Sequence, residues 1–110
     1  MKYFDEEQMA ETRKRFEDEV LKWKGVHSKA MMGCLCYFSV RKFIAFLVTK
    51  GIVVMKLSKE DQALMKKMGG RPFEMGGKTG KLWLTPLNGP RDVRSVLPFV
   101  KKSYEVASSL

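Results

Sequence analysis

A chain of 110 residues with 45% hydrophobic and 30% charged side chains has the balance of one globular domain spanning 1–110, not of a disordered polymer. Its longest apolar run, Phe43 to Val48, is too short to span a bilayer, and Met1 leads straight into Asp5-Glu6-Glu7. Neither a membrane anchor nor a secretory leader is therefore expected, and the expected location is the cytoplasm. The formal net charge of +9 is uneven: residues 1–24 hold six basic and seven acidic side chains, residues 25–110 fifteen and five. That field favours anionic partners without identifying one.

Residues 5–24 read as an amphipathic helix, with Met9, Phe16, Val20 and Trp23 on one stripe and Gly25 as its stop. Three strand-like segments follow, Lys29 to Val40, Phe43 to Thr49 and Ile52 to Leu57. The short breaks between them suit the tight hairpins of an antiparallel meander. Cys34 and Cys36 alternate with Leu35 and Tyr37, so both thiols are expected on one face as buried, reduced groups. With His27 they make three metal ligands and lack a fourth, so no metal site is expected. On the next strand Phe43, Ala45 and Leu47 oppose Ile44, Phe46 and Val48. Both faces of the sheet are thus apolar, and the second needs cover from a helix or from another copy of the chain.

Ser58 is placed to cap a second helix whose buried stripe is Leu64, Met65 and Met68, ended by Gly69-Gly70. Leu82 to Leu87 reads as a fourth strand. Asp92 is placed to cap a helical region reaching about Ser108, and Pro98 inside it predicts two consecutive helices.

Between the second helix and the fourth strand lies GGRPFEMGGKTGKLW, residues 69–83. Its Gly77-Lys78-Thr79 resembles the end of a phosphate-binding loop, but the glycine required five positions earlier is Pro72. The motif also needs a strand before it and a helix after it, the reverse of what is expected here. It is read as a turn, with Phe73 plugging the core and Lys78 and Lys81 on a solvated loop.

This ordered set resembles the N-terminal domain of the TfoX (Sxy) competence regulators. The residues that carry the likeness are Met31-Met32-Gly33, Lys42-Phe43 with Ala45, Met55-Lys56-Leu57 and Pro72-Phe73 followed by Gly77-Lys78 and Trp83. Leu97 to Tyr104 completes it, and the likeness runs over about residues 5–108. The resemblance implies an α+β two-layer sandwich: an N-terminal helix, an antiparallel sheet of about four strands, and C-terminal helices. It does not extend to the second, C-terminal domain of the full-length regulators, so competence regulation is not carried over.

The single histidine lacks a carboxylate neighbour and no nucleophile elbow occurs, so no catalytic residue and no cofactor is expected. The expected function is a non-enzymatic regulatory or protein-interaction module, its partner another protein or a second copy. The alternative is a transcription-associated nucleic-acid-binding protein using Lys66, Lys67, Arg71, Lys78 and Lys81, a basic cluster of the kind that contacts phosphates without reading sequence.

Overall fold

The computed structural model describes residues 3–31, 33–55, 57–75 and 78–108. The elements in chain order are α1 (Ala10–Val20), β1 (Val26–Met31), β2 (Cys34–Ser39), β3 (Lys42–Val48), β4 (Gly51–Met55) and α2 (Lys59–Lys67). β5 (Arg71–Met75), β6 (Lys78–Pro86), a 3-10 turn at Pro90–Asp92 and α3 (Val93–Ser108) complete the chain. The class is the expected α+β, but the sheet has six strands, in the order β1-β2-β3-β4-β6-β5, and every neighbouring pair is antiparallel.

Two hairpins account for the extra strands. The segment read as one strand from residue 29 to 40 is split at Gly33, whose φ of 77° reverses the chain and pairs Met31 with Cys34. The glycine-rich stretch is strand on both sides of residues 76–77, which lie outside the described residues. Pro72 sits in β5, at the edge of the sheet where a strand tolerates a missing N–H. Lys78 and Lys81 are accordingly strand residues and not loop residues. The strand after residues 77–79 keeps the phosphate-loop reading excluded.

The core lies between one face of the sheet and the helices. Phe16 and Val20 of α1, Met65 of α2 and Val96, Phe99 and Val100 of α3 pack on Leu35, Tyr37, Ile44, Ala45, Leu47, Ile52, Val54 and Trp83. Met9, Phe16 and Val20 are buried as their spacing requires, although α1 proper begins only at Ala10. Residues before it form a turn in which the Asp5 carboxylate accepts from Gln8 N–H at 3.0 Å.

Ser58 caps α2 by accepting from Asp61 N–H at 3.1 Å. The stripe of that helix is rotated from the expected one: Asp61 and Met65 are buried, while Leu64 and Met68 are exposed. Asp61 is held there by Lys102 of α3, whose ammonium donates to both carboxylate oxygens at 2.9 Å. Gly70 closes the helix so tightly that a Cβ would meet the Met65 carbonyl oxygen at 2.8 Å.

α3 is one helix through Pro98, not two. Proline removes the bond to the carbonyl one turn back, on Arg94, an exposed residue whose carbonyl is open to solvation. Val96, Phe99, Val100 and Ser103, one continuous buried stripe, hold the helix together across it. Asp92 lies in the 3-10 turn that leads into α3 and accepts from Asn88 N–H at 2.8 Å.

Candidate functional site

The second face of the sheet is built from strands alone. Cys34 and Cys36 of β2, Phe46 of β3 and Val53 of β4 are buried at its centre. Phe38, Phe43, Val48, Phe73, Leu82 and Leu84 surround them, half-buried. No helix residue belongs to this cluster among those described, so the helices do not supply its cover.

A register shift sets the pattern. Tyr37 pairs with Ala45 but Phe38 with Phe43, leaving Ile44 as an extra residue in β3. The bulge reverses the alternation: Phe43 joins Phe46 and Val48 on the second face, and Ile44 joins Ala45 and Leu47 in the core, which corrects the expected facing of both. The Ile44 carbonyl accepts from the buried Ser103 hydroxyl of α3 at 2.7 Å.

The cover comes from curvature. His27, Phe38, Phe43, Phe46 and Phe73 form a ladder of rings with successive centroids 5.6, 5.4, 5.4 and 5.9 Å apart. The last step runs from β3 to β5, three strand positions away, which on a flat sheet is about 14 Å. A separation of 5.9 Å between Phe46 and Phe73 requires the sheet to curl toward this face, making it a trough. Phe46 is thereby only 2% exposed without any helix over it.

The two thiols lie on the trough floor, 3.9 Å apart, and both point at the Met31 carbonyl oxygen, at 3.4 and 3.8 Å. Both are free and buried. Burial raises the pKa of Cys34, and burial reinforced by Cys34 pushes that of Cys36 up to about 12, which disfavours the thiolate form of both. His27 stacks on Phe38 instead of approaching them.

On the helical side, buried Tyr37 donates to Glu17 at 2.8 Å, and Arg13 donates to the same carboxylate oxygen at 3.2 Å. Burial first, and Glu17 second, push the phenol far above its ordinary range. With the phenol sealed in the core, this trio braces α1 against the sheet.

Charge is sorted between the layers. Seven of the twelve acidic residues fall between Asp5 and Glu19, on α1 and the turn before it. Between Glu19 and Glu60 the sequence has no Asp or Glu and carries eight Lys and Arg residues, so strands β1 to β4 add only positive charge. Along β1, His27, Lys29 and Met31 pair with Phe38, Cys36 and Cys34, which puts all three on the trough side, and all three are exposed.

Three of the five residues of the basic cluster anticipated from sequence can be placed on the surface. Lys66, Lys67 and Arg71 are all exposed. Lys66 holds its ammonium 5.9 Å from the centroid of Trp83, on the helical side. Arg71 pairs with Leu84 and borders a cavity of about 470 Å³ with Val48 and Lys50, on the trough side. Lys78 and Lys81 lie on β6, and their side chains fall outside the described residues. Trp83 is buried, and Phe73 packs in the trough instead of plugging the main core. Sequence reasoning missed the trough because its shape depends on the bulge at Ile44 and on pairing between strands far apart in sequence. The absence of acid from residue 20 to 59 was the signal open to it.

No helix among the described residues is long and apolar enough to cross a membrane. A scan of family models, a search of curated proteins and a search of solved structures each find no match to this chain.

Proposed function

We propose that this chain is a non-enzymatic regulatory or protein-interaction module of the TfoX N-terminal type, and that the trough is its contact surface. The observation that carries this reading is an apolar, aromatic-lined sheet face with no helix residue on it and a positively charged surround. Apolar surface of this kind, rimmed by polar groups, marks interaction sites. Phe38 and Phe43 are its accessible anchors, since aromatic side chains carry much of the energy at such contacts.

The test is affinity capture from the cells that make the protein, comparing wild type with a Phe38→Ser, Phe43→Ser variant of unchanged circular dichroism. A protein retained by wild type and lost by the variant supports the module. Identical retained sets would remove the trough from it. Light scattering on the same samples reads self-association against the 12.6 kDa monomer.

The charge of +9, with Lys66, Lys67 and Arg71 exposed, favours a second reading as a nucleic-acid binder. Anisotropy titrations with labelled DNA and RNA at two salt concentrations test it. Salt-sensitive binding lost on reversing the charge of these three residues would put this reading first, and no binding at low salt would end it.

A further inference from the structure

The two edges of the sheet are treated differently. The β5 edge curls onto the trough through Phe73 and carries Pro72, two devices that blunt an edge. The β1 edge has neither; its one guard is the charge of Lys29, which an acidic strand would neutralise and a basic one would not. It is six residues of regular strand, in unbroken register with β2 on one side and with no strand on the other among the described residues. Four of the six, His27, Lys29, Ala30 and Met31, are exposed. An edge strand keeps a row of backbone N–H and C=O groups without ladder partners; here the Val26 N–H is already taken by the Trp23 carbonyl at 3.2 Å, so the open stretch begins after it.

We infer that β1 takes up an acidic, extended segment of another protein as an added strand. This rests on the interaction-module reading and names the partner's chemistry. Main-chain hydrogen bonds along β1 supply the pairing, and alternate side chains supply the selectivity. On the trough side the incoming strand meets His27, Lys29 and Met31 in turn. A carboxylate beside Lys29, with apolar residues two positions away on either side against the His27–Phe38 stack and Met31, is the complementary pattern. The acid-free stretch from residue 20 to 59 attracts such a segment and repels a basic one.

A second copy of the chain fits less well. Antiparallel β1–β1 pairing that keeps the trough faces continuous, and most of the strand paired, has two registers. One sets Lys29 against His27 twice, and the other sets Lys29 against Lys29; neither brings a carboxylate to the ammonium. Single-stranded nucleic acid is also disfavoured, because it needs free ring faces. Here Phe38, Phe43, Phe46 and Phe73 pack edge-to-face on one another, and His27 lies stacked on Phe38.

The probe is a fluorescent peptide of about ten residues in which threonine alternates with valine and glutamate, the length of an ordinary strand. Controls are its lysine-for-glutamate counterpart, two versions N-methylated on either alternate set of residues, and a single-stranded RNA of equal length. The full chain is titrated by anisotropy and, when labelled with 15N, by amide shifts and exchange. Expected results are binding of the glutamate peptide, loss of binding in one N-methylated version, and shifted, newly protected amides within Val26–Met31. Lys29→Glu, at an exposed position, should weaken that peptide about five- to tenfold and admit the lysine peptide.

Equal binding by both N-methylated versions, unperturbed β1 amides, or preference for RNA would each overturn the inference. So would β1 amides already protected in a particle of twice the monomer mass. A glutamate peptide that fails to bind, while the Phe38→Ser, Phe43→Ser variant still loses its captured partner, sinks the added strand and leaves the module. Peptide binding at β1 with unaltered capture sinks the trough reading and leaves the strand.

Discussion

Val40 has a backbone that its side chain opposes. It is the first residue of the two-residue loop between β2 and β3, with φ of 57° and a side chain 68% exposed. An L-residue in this left-handed region costs about 1–2 kcal/mol, more for one branched at Cβ, and glycine has no such penalty. Val40→Gly should therefore stabilise the protein by about 1 kcal/mol after the entropy of the freer unfolded chain is subtracted. Urea unfolding checks it, and an unchanged midpoint would show that the turn bears no strain. Cys36 offers a second residue-level prediction, in pH. Below the ordinary thiol value of about 8.5 the group is protonated folded and unfolded, and it adds no pH dependence. As pH rises from there toward about 12, the unfolded thiol ionises while the buried one keeps its proton, so the unfolded state is favoured and stability falls. Comparing unfolding at pH 8 and pH 10 should give a smaller drop for Cys36→Ala than for wild type; parallel drops would contradict the assignment.

At the level of elements, the bulge in β3 and helix α3 depend on each other. The extra residue Ile44 puts Phe43 in the trough, and the Ser103 hydroxyl takes the carbonyl of Ile44 in a place that water does not reach. Ser103→Ala should cost about 1–2 kcal/mol, the range for a buried hydrogen bond lost from one side. Hydrogen exchange of this variant should show the loss concentrated in β3 and α3, and a loss spread evenly would mean that the bond does not anchor the bulge. The same level explains why some elements were legible and others not. Ser58 and the spacing of Met9, Phe16 and Val20 are local signals, and they located α2 and the packing face of α1. Pro98 misled because intrinsic propensity against a mid-helix proline was outweighed by the stripe of Val96, Phe99, Val100 and Ser103 against the sheet. Leu64 and Met68 misled because α2 turns Asp61 and Met65 toward the core, where Lys102 of α3 satisfies the buried carboxylate.

For the molecule as a whole, the curl of the sheet decides what surface is left for a partner. It closes the β5 side over Phe46 and leaves the β1 side open. Phe73 fastens that closure, so Phe73→Ala should remove about 1–2 kcal/mol, less than a fully buried phenylalanine because Phe73 is half-exposed. Exchange at β5 and β6 should accelerate before the rest of the sheet, and uniform acceleration would mean that the ring contact does not hold the curl.

Periodicity, caps and composition by themselves determined the α+β class, the two apolar faces of the sheet and the uneven charge, because each depends on residues close in sequence or on their sum. Contacts between distant strands decided the rest. Pairing of β6 between β4 and β5 put Phe73 over Phe46, and the bulge moved Phe43 across the sheet. The β5–β6 pairing set Arg71 beside Leu84 on the trough side, while Lys66 of α2 lies by Trp83 on the helical side. Which side of a sheet a residue occupies depends on register, and one extra residue reverses it, so the face available for binding became visible only in the folded chain.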